Sequence, residues 1–338
     1  MKTGVLRWAF NVDSWDPSES EWEKCMGLLS GEPEEQERIA KFVRPLKGGA
    51  KLVGRHNPDA KSSLAGRLLI RKAVQSQLGV PCNSTTMRRT RLGKPYVVPT
   101  AAVPASPFPN FNLNVAHQGA WVVLAAEPHD LVGVDVMKNE LRPNTTADKF
   151  LASMRSCFTD HEWLQVNEFA PAYNLNCGWG NNSDTDDILF AAAMSYGTPP
   201  ASSLSATQAR LDPFFTMWSL KESFVKATGL GLSFGLERTS FTFTRSAAAR
   251  FEPEWVRPEK ATVRVDGKAT RSYWDFTIGS LDKLHIVACA RTAPCEATDE
   301  ETVWIERTTK EAAVCNARNP EDRNRPPFEE LHIADLMK

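Results

Sequence analysis

Cysteine pairing, long apolar runs and an excess of either charge are all missing from this 338-residue sequence. Its seven cysteines are odd in number and show no C-x-x-C spacing. Neither a disulfide framework nor a zinc site is readable from them, and free thiols in a reducing compartment are expected. The apolar stretch at 121–126 falls far short of the roughly 20 residues that cross a bilayer. Arg7 and Asp13 interrupt the first stretch of chain, so no signal-peptide core is expected there. Basic side chains number 40 and acidic ones 41, which argues against a general nucleic-acid binder, since that needs a net basic face. No Walker A sequence occurs, and the glycines from Gly229 onward follow a helical pattern instead of opening one, which counts against a nucleotide triphosphatase or a dinucleotide enzyme. The expectation is a soluble, cytosolic protein with no membrane or nucleic-acid partner. Its apolar content of 42% is enough for one large or two medium domains.

Residues 3–10 read as a strand, and Asp16-Pro17-Ser18 leads into a helix with Trp22, Met26 and Leu29 on one face. The Gly- and Lys-rich stretch at 47–58 reads as a loop. A helix is expected over 62–78, stopped by Gly79. After a loop with four prolines at 99–109, residues 111–127 read as two strands around a His117-Gln118-Gly119 turn, and 132–137 as a third. Thr159 and Glu162 have capping-box spacing. A polar insertion follows at about 170–210. Asp212-Pro213 then opens a strong helix that Gly229 ends.

One order of elements occurs twice: a helix, a glycine stop, an Arg-Thr segment and a hairpin, the hairpins starting at Phe111 and Trp274. This predicts an α+β fold. It would be a pseudo-dimer of two similar subdomains, each a small, mainly antiparallel sheet packed on a long helix, with the active site in the cleft between them. The expected limits are 1–128 and 129–295, with an extension at 296–338 whose residues 331–337 dock back.

Two segments carry chemistry. In Trp218-Ser219-Leu220-Lys221-Glu222-Ser223-Phe224-Val225-Lys226-Ala227-Thr228-Gly229, a helix places Ser219, Glu222, Ser223 and Lys226 on one polar face. By spacing alone this is an exposed Glu–Lys pair worth about 0.3–0.5 kcal/mol. In Gly133-Val134-Asp135-Val136-Met137, an aspartate interrupts an apolar strand, which is costly unless it faces solvent, is paired or binds a metal. Residues 88–94 add four cations and no anion.

Together with Phe158-Thr159-x-x-Glu162-Trp163, and in the same order, these segments resemble the 4′-phosphopantetheinyl transferase superfamily. Three upstream segments, at 65–72, 89–95 and 111–119, are similar to its large, animal-type group. The resemblance covers roughly residues 5–290, with a gap at 170–210. It implies coenzyme A as donor, a serine of an apo acyl-carrier or peptidyl-carrier domain as acceptor, 3′,5′-ADP as leaving group and Mg²⁺ as cofactor. Fatty-acid synthase and aminoadipate reductase-like proteins are the carriers it implies, and a monomer the state.

By motif position, Asp135 and Glu222 become the Mg²⁺ ligands, Glu222 also the general base, and Lys226 the stabiliser of the leaving phosphate. Arg89, Thr90, Arg91, Leu92, Gly93 and Lys94 match the nucleotide-binding segment. Ala116, His117, Gln118 and Gly119 match the phosphate end of the donor site. Arg44 or Arg55 corresponds to a further arginine that pairs with the 3′-phosphate, with Arg55 favoured by the Asp59-Ala60-Lys61 that follows it. Two departures stand out: Ala116 replaces the usual serine, and Met137 stands where short bacterial relatives often carry a third carboxylate. A catalytically degenerate module that binds CoA or carrier domains is the alternative, although both carboxylates and Lys226 are present.

Overall fold

The computed structural model describes residues 4–46, 48–79, 87–97, 111–167, 210–231, 234–244, 257–270, 272–293 and 326–337. Nearly all of the insertion at 170–210, the proline-rich loop at 99–109 and most of the extension from 296 lie outside these residues. Among the described residues no helix is long and apolar enough to cross a membrane.

The chain is a mixed α+β protein built on two main sheets. The first contains β1 (Leu6–Asn11), β6 (Asn112–Gln118) and β7 (Trp121–Glu127), with β14 (Glu329–Glu330) pairing parallel to β1. The second runs β11 (Lys268–Ala269), β10 (Lys260–Val265), β12 (Trp274–Ser280), β13 (His285–Thr292) and β8 (Leu131–Lys138), with β9 (Thr239–Thr244) also on β10. Two small ribbons, β2 (Val43–Pro45) with β3 (Lys51–Val53) and β4 (Met87–Arg89) with β5 (Pro95–Val97), stand apart from them.

Alternation along the strands sorts their side chains into layers. In β7, Val122, Leu124 and Ala126 face one core and Trp121, Val123 and Ala125 another. In β13, Ile286, Ala288 and Ala290 face one side and Val287 and Cys289 the other. The two sheets therefore share an inner core of alanine, valine and cysteine side chains with Trp121 among them. The outer face of the first sheet is covered by α3 (Pro58–Leu78), and that of the second by the sixth helix, α6 (Leu211–Thr228).

A seam of side chains joins the sheets where β6 meets the free edge of β8. Asn112, Asn114 and Gln118, at alternate positions of β6, accept from the backbone N–H groups of Val132, Val134 and Lys138. An edge strand that would otherwise expose its donors is thereby covered.

Several expectations shift. The third helix starts at Pro58, four residues early, because Asn57 accepts from the Asp59 N–H at 2.9 Å and Pro58 fits the first turn. The stretch at 47–58 holds β3 and a 3₁₀ turn at Gly54–His56 as well as loop. Asp212 is not the cap of α6: Arg210 takes that place, and the Asp212 carboxylate instead binds Arg257. The capping box at Thr159 and Glu162 is present, with both reciprocal bonds. Residues 331–337 dock back: the Leu331 N–H donates to Ala9 O at 2.8 Å, and Leu331 and Leu336 join the first core.

Four further helices frame the sheets: α1 (Glu19–Gly27), α2 (Pro33–Ala40) and, before α6, the short α4 (Ala147–Ser153) and α5 (Asp160–Asn167). A buried pair, Lys221 Nζ to Glu162 Oε2 at 2.8 Å, ties α6 to α5. Lys221 also donates to Leu236 O and Thr239 O, so the charge is fully engaged, as burial requires. Two of the sequence motifs are thus one structural joint.

Candidate active site

The site begins at Gly133. Leu131, Gly133, Asp135 and Met137 share the face of β8 that looks at α6, because Val132, Val134 and Val136 point into the inner core. A Cβ at position 133 would lie 2.0 Å from Ser223 O and 2.3 Å from Ala227 N. Only the absence of a side chain lets the helix backbone lie directly on the strand. That approach brings Asp135, two residues on, against Lys226, whose Nζ is 2.5 Å from Asp135 Oδ1. The Glu–Lys pair read from spacing is therefore not a solvated i,i+4 pair: Lys226 reaches across to the strand.

Asp135 is buried, and its Oδ2 has no hydrogen-bond partner. The buried Ser219 hydroxyl faces this carboxylate without meeting it in a well-formed hydrogen bond. Burial pushes the Asp135 carboxyl above the ordinary range, against the opposing pull of Lys226. Glu222, half-buried, is pushed up by burial first and by the Asp135 charge, again against Lys226. Two carboxylates crowded together, one with an unsatisfied oxygen, are what a hard cation relieves. Among the described residues no group of three His, Cys, Asp or Glu side chains converges. Asp135 and Glu222 thus fit a cation that takes its other oxygens from ligand and water.

Glu222 and Lys226 open onto a cavity of about 440 Å³. Its wall continues through Val225, Gly229 and Gly231, then crosses to residues of the first sheet and its helices. Arg38, Ser62, Ser63, Arg67, Arg89 and His117 supply the polar wall there. Arg38 Nη2 donates to Ser63 Oγ at 2.9 Å. Desolvation first, and then the Lys226 and Arg38 cations against the opposing pull of Asp59, lower the His117 pKa, which favours the neutral ring.

The expected donor-site residues divide. Arg89, Leu92, Gly93, Lys94 and His117 line the cavity. Thr90 shapes the tight turn between β4 and β5, accepting from Gly93 N through its carbonyl and from Lys94 N through Oγ1. Gly93, at φ +96°, supplies the conformation that turn needs. Lys94 has its ammonium occupied: Nζ donates to Val132 O at 3.1 Å and Ala227 O at 2.6 Å, pinning the turn to β8 and α6. Arg91, Ala116, Gln118 and Gly119 are not among the lining residues. Ala116 belongs to the inner core, and Gln118 belongs to the seam. A Cβ on Gly119 would lie 2.4 Å from His285 Nε2, so that glycine serves the packing of two hairpins. Arg55 binds Glu19 Oε2 at 3.0 Å and Pro17 O at 3.1 Å away from the lining, and Arg44 lies on the exposed ribbon.

Sequence reasoning did not single out Arg38, Ser62, Ser63 or Arg67. Arg67 stood inside a quoted motif, and a buried arginine within an apolar helical pattern was the available signal. Arg38 carried none, since α2 reads as an ordinary charged surface helix.

Comparison with known proteins accords with this geometry. Residues 13–129 match the family described as 4′-phosphopantetheinyl transferase, N-terminal, and residues 190–289 match the 4′-phosphopantetheinyl transferase superfamily. The chain is 33% identical over 289 residues to the L-aminoadipate-semialdehyde dehydrogenase-phosphopantetheinyl transferase of Mus musculus, covering 86% of this chain and 75% of that protein. Its counterpart from Xenopus laevis is 34% identical over 287 residues, covering 85% and 76%. A phosphopantetheinyl transferase of Thraustochytrium sp. is 31% identical over 308 residues, covering 89% of each. The chain belongs to the 4′-phosphopantetheinyl transferase superfamily and is a transferase.

Proposed function

We propose that this protein transfers 4′-phosphopantetheine from coenzyme A to a serine of apo acyl-carrier or peptidyl-carrier domains, releasing 3′,5′-ADP. The observation that carries the reading is that Glu222 and Lys226 line one end of a cavity whose other wall is rich in arginine, with buried Asp135 bonded to Lys226 behind them. CoA has a pyrophosphate to be attacked and a 3′-phosphate to be held, and these chemistries call for the two ends respectively.

Mg²⁺ is the proposed cofactor, with Asp135 Oδ2 and the Glu222 carboxylate as its protein ligands. When bound, it neutralises charge on the pyrophosphate oxygens. Glu222 takes the serine proton, directly or through a water. Lys226 keeps a positive charge beside both carboxylates and faces the leaving phosphate. His117 donates a ring hydrogen bond at the phosphate end. Arg38, in place of Arg44 or Arg55, is the cavity arginine for the 3′-phosphate, together with Arg67 and Arg89.

The two helix-on-sheet halves form the proposed pseudo-dimer, with limits at 1–128 and 129–295 and an extension at 296–338. Its support is that α3 and α6 end alike, on left-handed glycines at φ 70° and 75°, and that each sheet carries an antiparallel hairpin. A monomer acting in the cytosol on fatty-acid synthase and aminoadipate reductase-like carriers completes the proposal.

Intact-mass spectrometry of an apo carrier domain incubated with this protein, CoA and Mg²⁺ is the test. A gain of about 340 Da that disappears with EDTA is expected. No gain on several carriers, from protein that binds CoA, would favour a binding module without turnover.

A further inference from the structure

Three arginines on three different elements share one carboxylate behind the cavity wall. Through Oε2, Glu35 on α2 accepts from Arg38 Nε at 2.8 Å. Through Oε1 it accepts from Arg67 of α3, and from Arg89 Nε and Nη2 of β4 at 3.3 and 3.2 Å. All three arginines line the cavity, whereas Glu35 is not among the lining residues. Its neighbour Glu32 plays a similar part further back, bonding Arg71 Nη1 at 2.8 Å and lying 3.7 Å from Arg67.

Guanidinium groups gathered in this way repel one another. Burial lowers Arg67 to about 10, with Arg89 and Arg71 pushing the same way. Arg38 likewise adds to the lowering of Arg89, after burial. Without a shared anion, the flexible Arg38 and Arg89 side chains, both on exposed residues, would swing apart into solvent. Three cations around one carboxylate leave two positive charges, the complement of a single phosphate dianion.

We propose that Glu35 is the positioning residue for recognition of the donor's 3′-phosphate, gathering Arg38, Arg67 and Arg89 into one fan that faces the cavity. Glu35 acts through the arginines and does not touch the donor. The proposal rests on the reading of this cavity as the CoA site. A carboxylate so near a bound phosphate repels it, so the benefit of Glu35 lies in the arginine geometry that its charge holds together. An uncharged amide at this position keeps the size, offers one acceptor oxygen and cannot serve donors from three sides.

The test compares CoA with 3′-dephospho-CoA as donors in steady-state transfer to one apo carrier, for wild type and Glu35→Gln. KM for CoA should rise about tenfold in the variant while kcat stays within about twofold. KM for 3′-dephospho-CoA should not change, so the preference for CoA collapses. A merely structural role would move both donors alike. An equal rise for both donors overturns the proposal, and so does a fall in KM for CoA, which would make Glu35 a competitor of the phosphate. Should Glu35→Gln melt early, Arg89→Gln at a half-exposed side chain should weaken the same preference, and full retention of it there also overturns the proposal. A wild-type protein that binds CoA no better than 3′-dephospho-CoA sinks the assignment of the cavity itself. A wild type with a strong preference that Glu35→Gln preserves sinks only the role of Glu35.

Discussion

The two halves use one plan, a long helix laid over an antiparallel sheet, yet they differ in how closely helix and strand approach. On α3, a Cβ at Gly66 would meet Val115 Cγ2 at 3.5 Å and Val122 Cγ1 at 3.7 Å, which is ordinary side-chain contact. On the other half, Gly133 of β8 lets the backbone of α6 touch the strand itself. The looser half presents long cations to the cavity, and the tighter one brings acids to a shared point. Spacing between helix and sheet decides what each half can present: reach suits cations spread along a wall, and close contact suits acids that meet at one point.

The largest effect should come from the acids. Glu222→Gln should lower transfer at least ~10³-fold while the far-UV circular dichroism and melting temperature stay at wild-type values. Near-normal turnover in that variant would remove Glu222 as base and ligand. Asp135→Asn should cost similar activity without lowering the melting temperature at pH 7. The folded-state pKa of Asp135 is raised, so folding disfavours its charged form, and that cost is present above the folded pKa and vanishes below the unfolded one. A clear drop in melting temperature would mean that its pair with Lys226 outweighs burial.

Next, the two glycines should answer differently to the same substitution. Gly133→Ala should destabilise by about 3 kcal/mol or more, since backbone must move to admit the methyl. Gly66→Ala should be within about 1 kcal/mol of wild type, on the stable side if helix propensity prevails. Equal responses in urea melts would erase the contrast between the halves. Lys94→Met should fall between them, at about 1–3 kcal/mol, because two carbonyls lose a charged donor, and KM for CoA should rise with it. The smallest effect is on pH: in Mg²⁺-free protein the Glu222 carboxyl, followed by carbon-13 NMR, should titrate above the ordinary glutamate value of about 4.3, because burial and the Asp135 charge raise its pKa. A titration at or below that value would mean that Lys226 outweighs both.

Much of this was legible in the sequence, and the failures have physical causes. Gly79 and Gly229 marked their helix ends because the left-handed cap has few substitutes. Thr159 and Glu162 announced a cap that the fold uses twice, once for α5 and once to hold Lys221. The hairpin turns are legible too, yet Gln118 bonds the Lys138 N–H and Gly119 packs on His285, contacts that order along the chain does not show. Sequence shows that a residue is constrained without showing which neighbour constrains it. Arg38 and Glu35 sit three apart on a helix whose pattern is that of solvent-facing charge, and only the approach of α3 and β4 makes them a wall.

Lys221, Ser219 and Ser223 are buried on α6 together with its apolar residues. A helix enclosed on nearly every side opens only when much of the molecule opens with it. In hydrogen–deuterium exchange, the amides around Glu222 should therefore be among the last to take up label. Under the proposed chemistry the reacting groups ride on a stiff spine, and accommodation of carriers of different shape falls to whatever surrounds the cavity mouth.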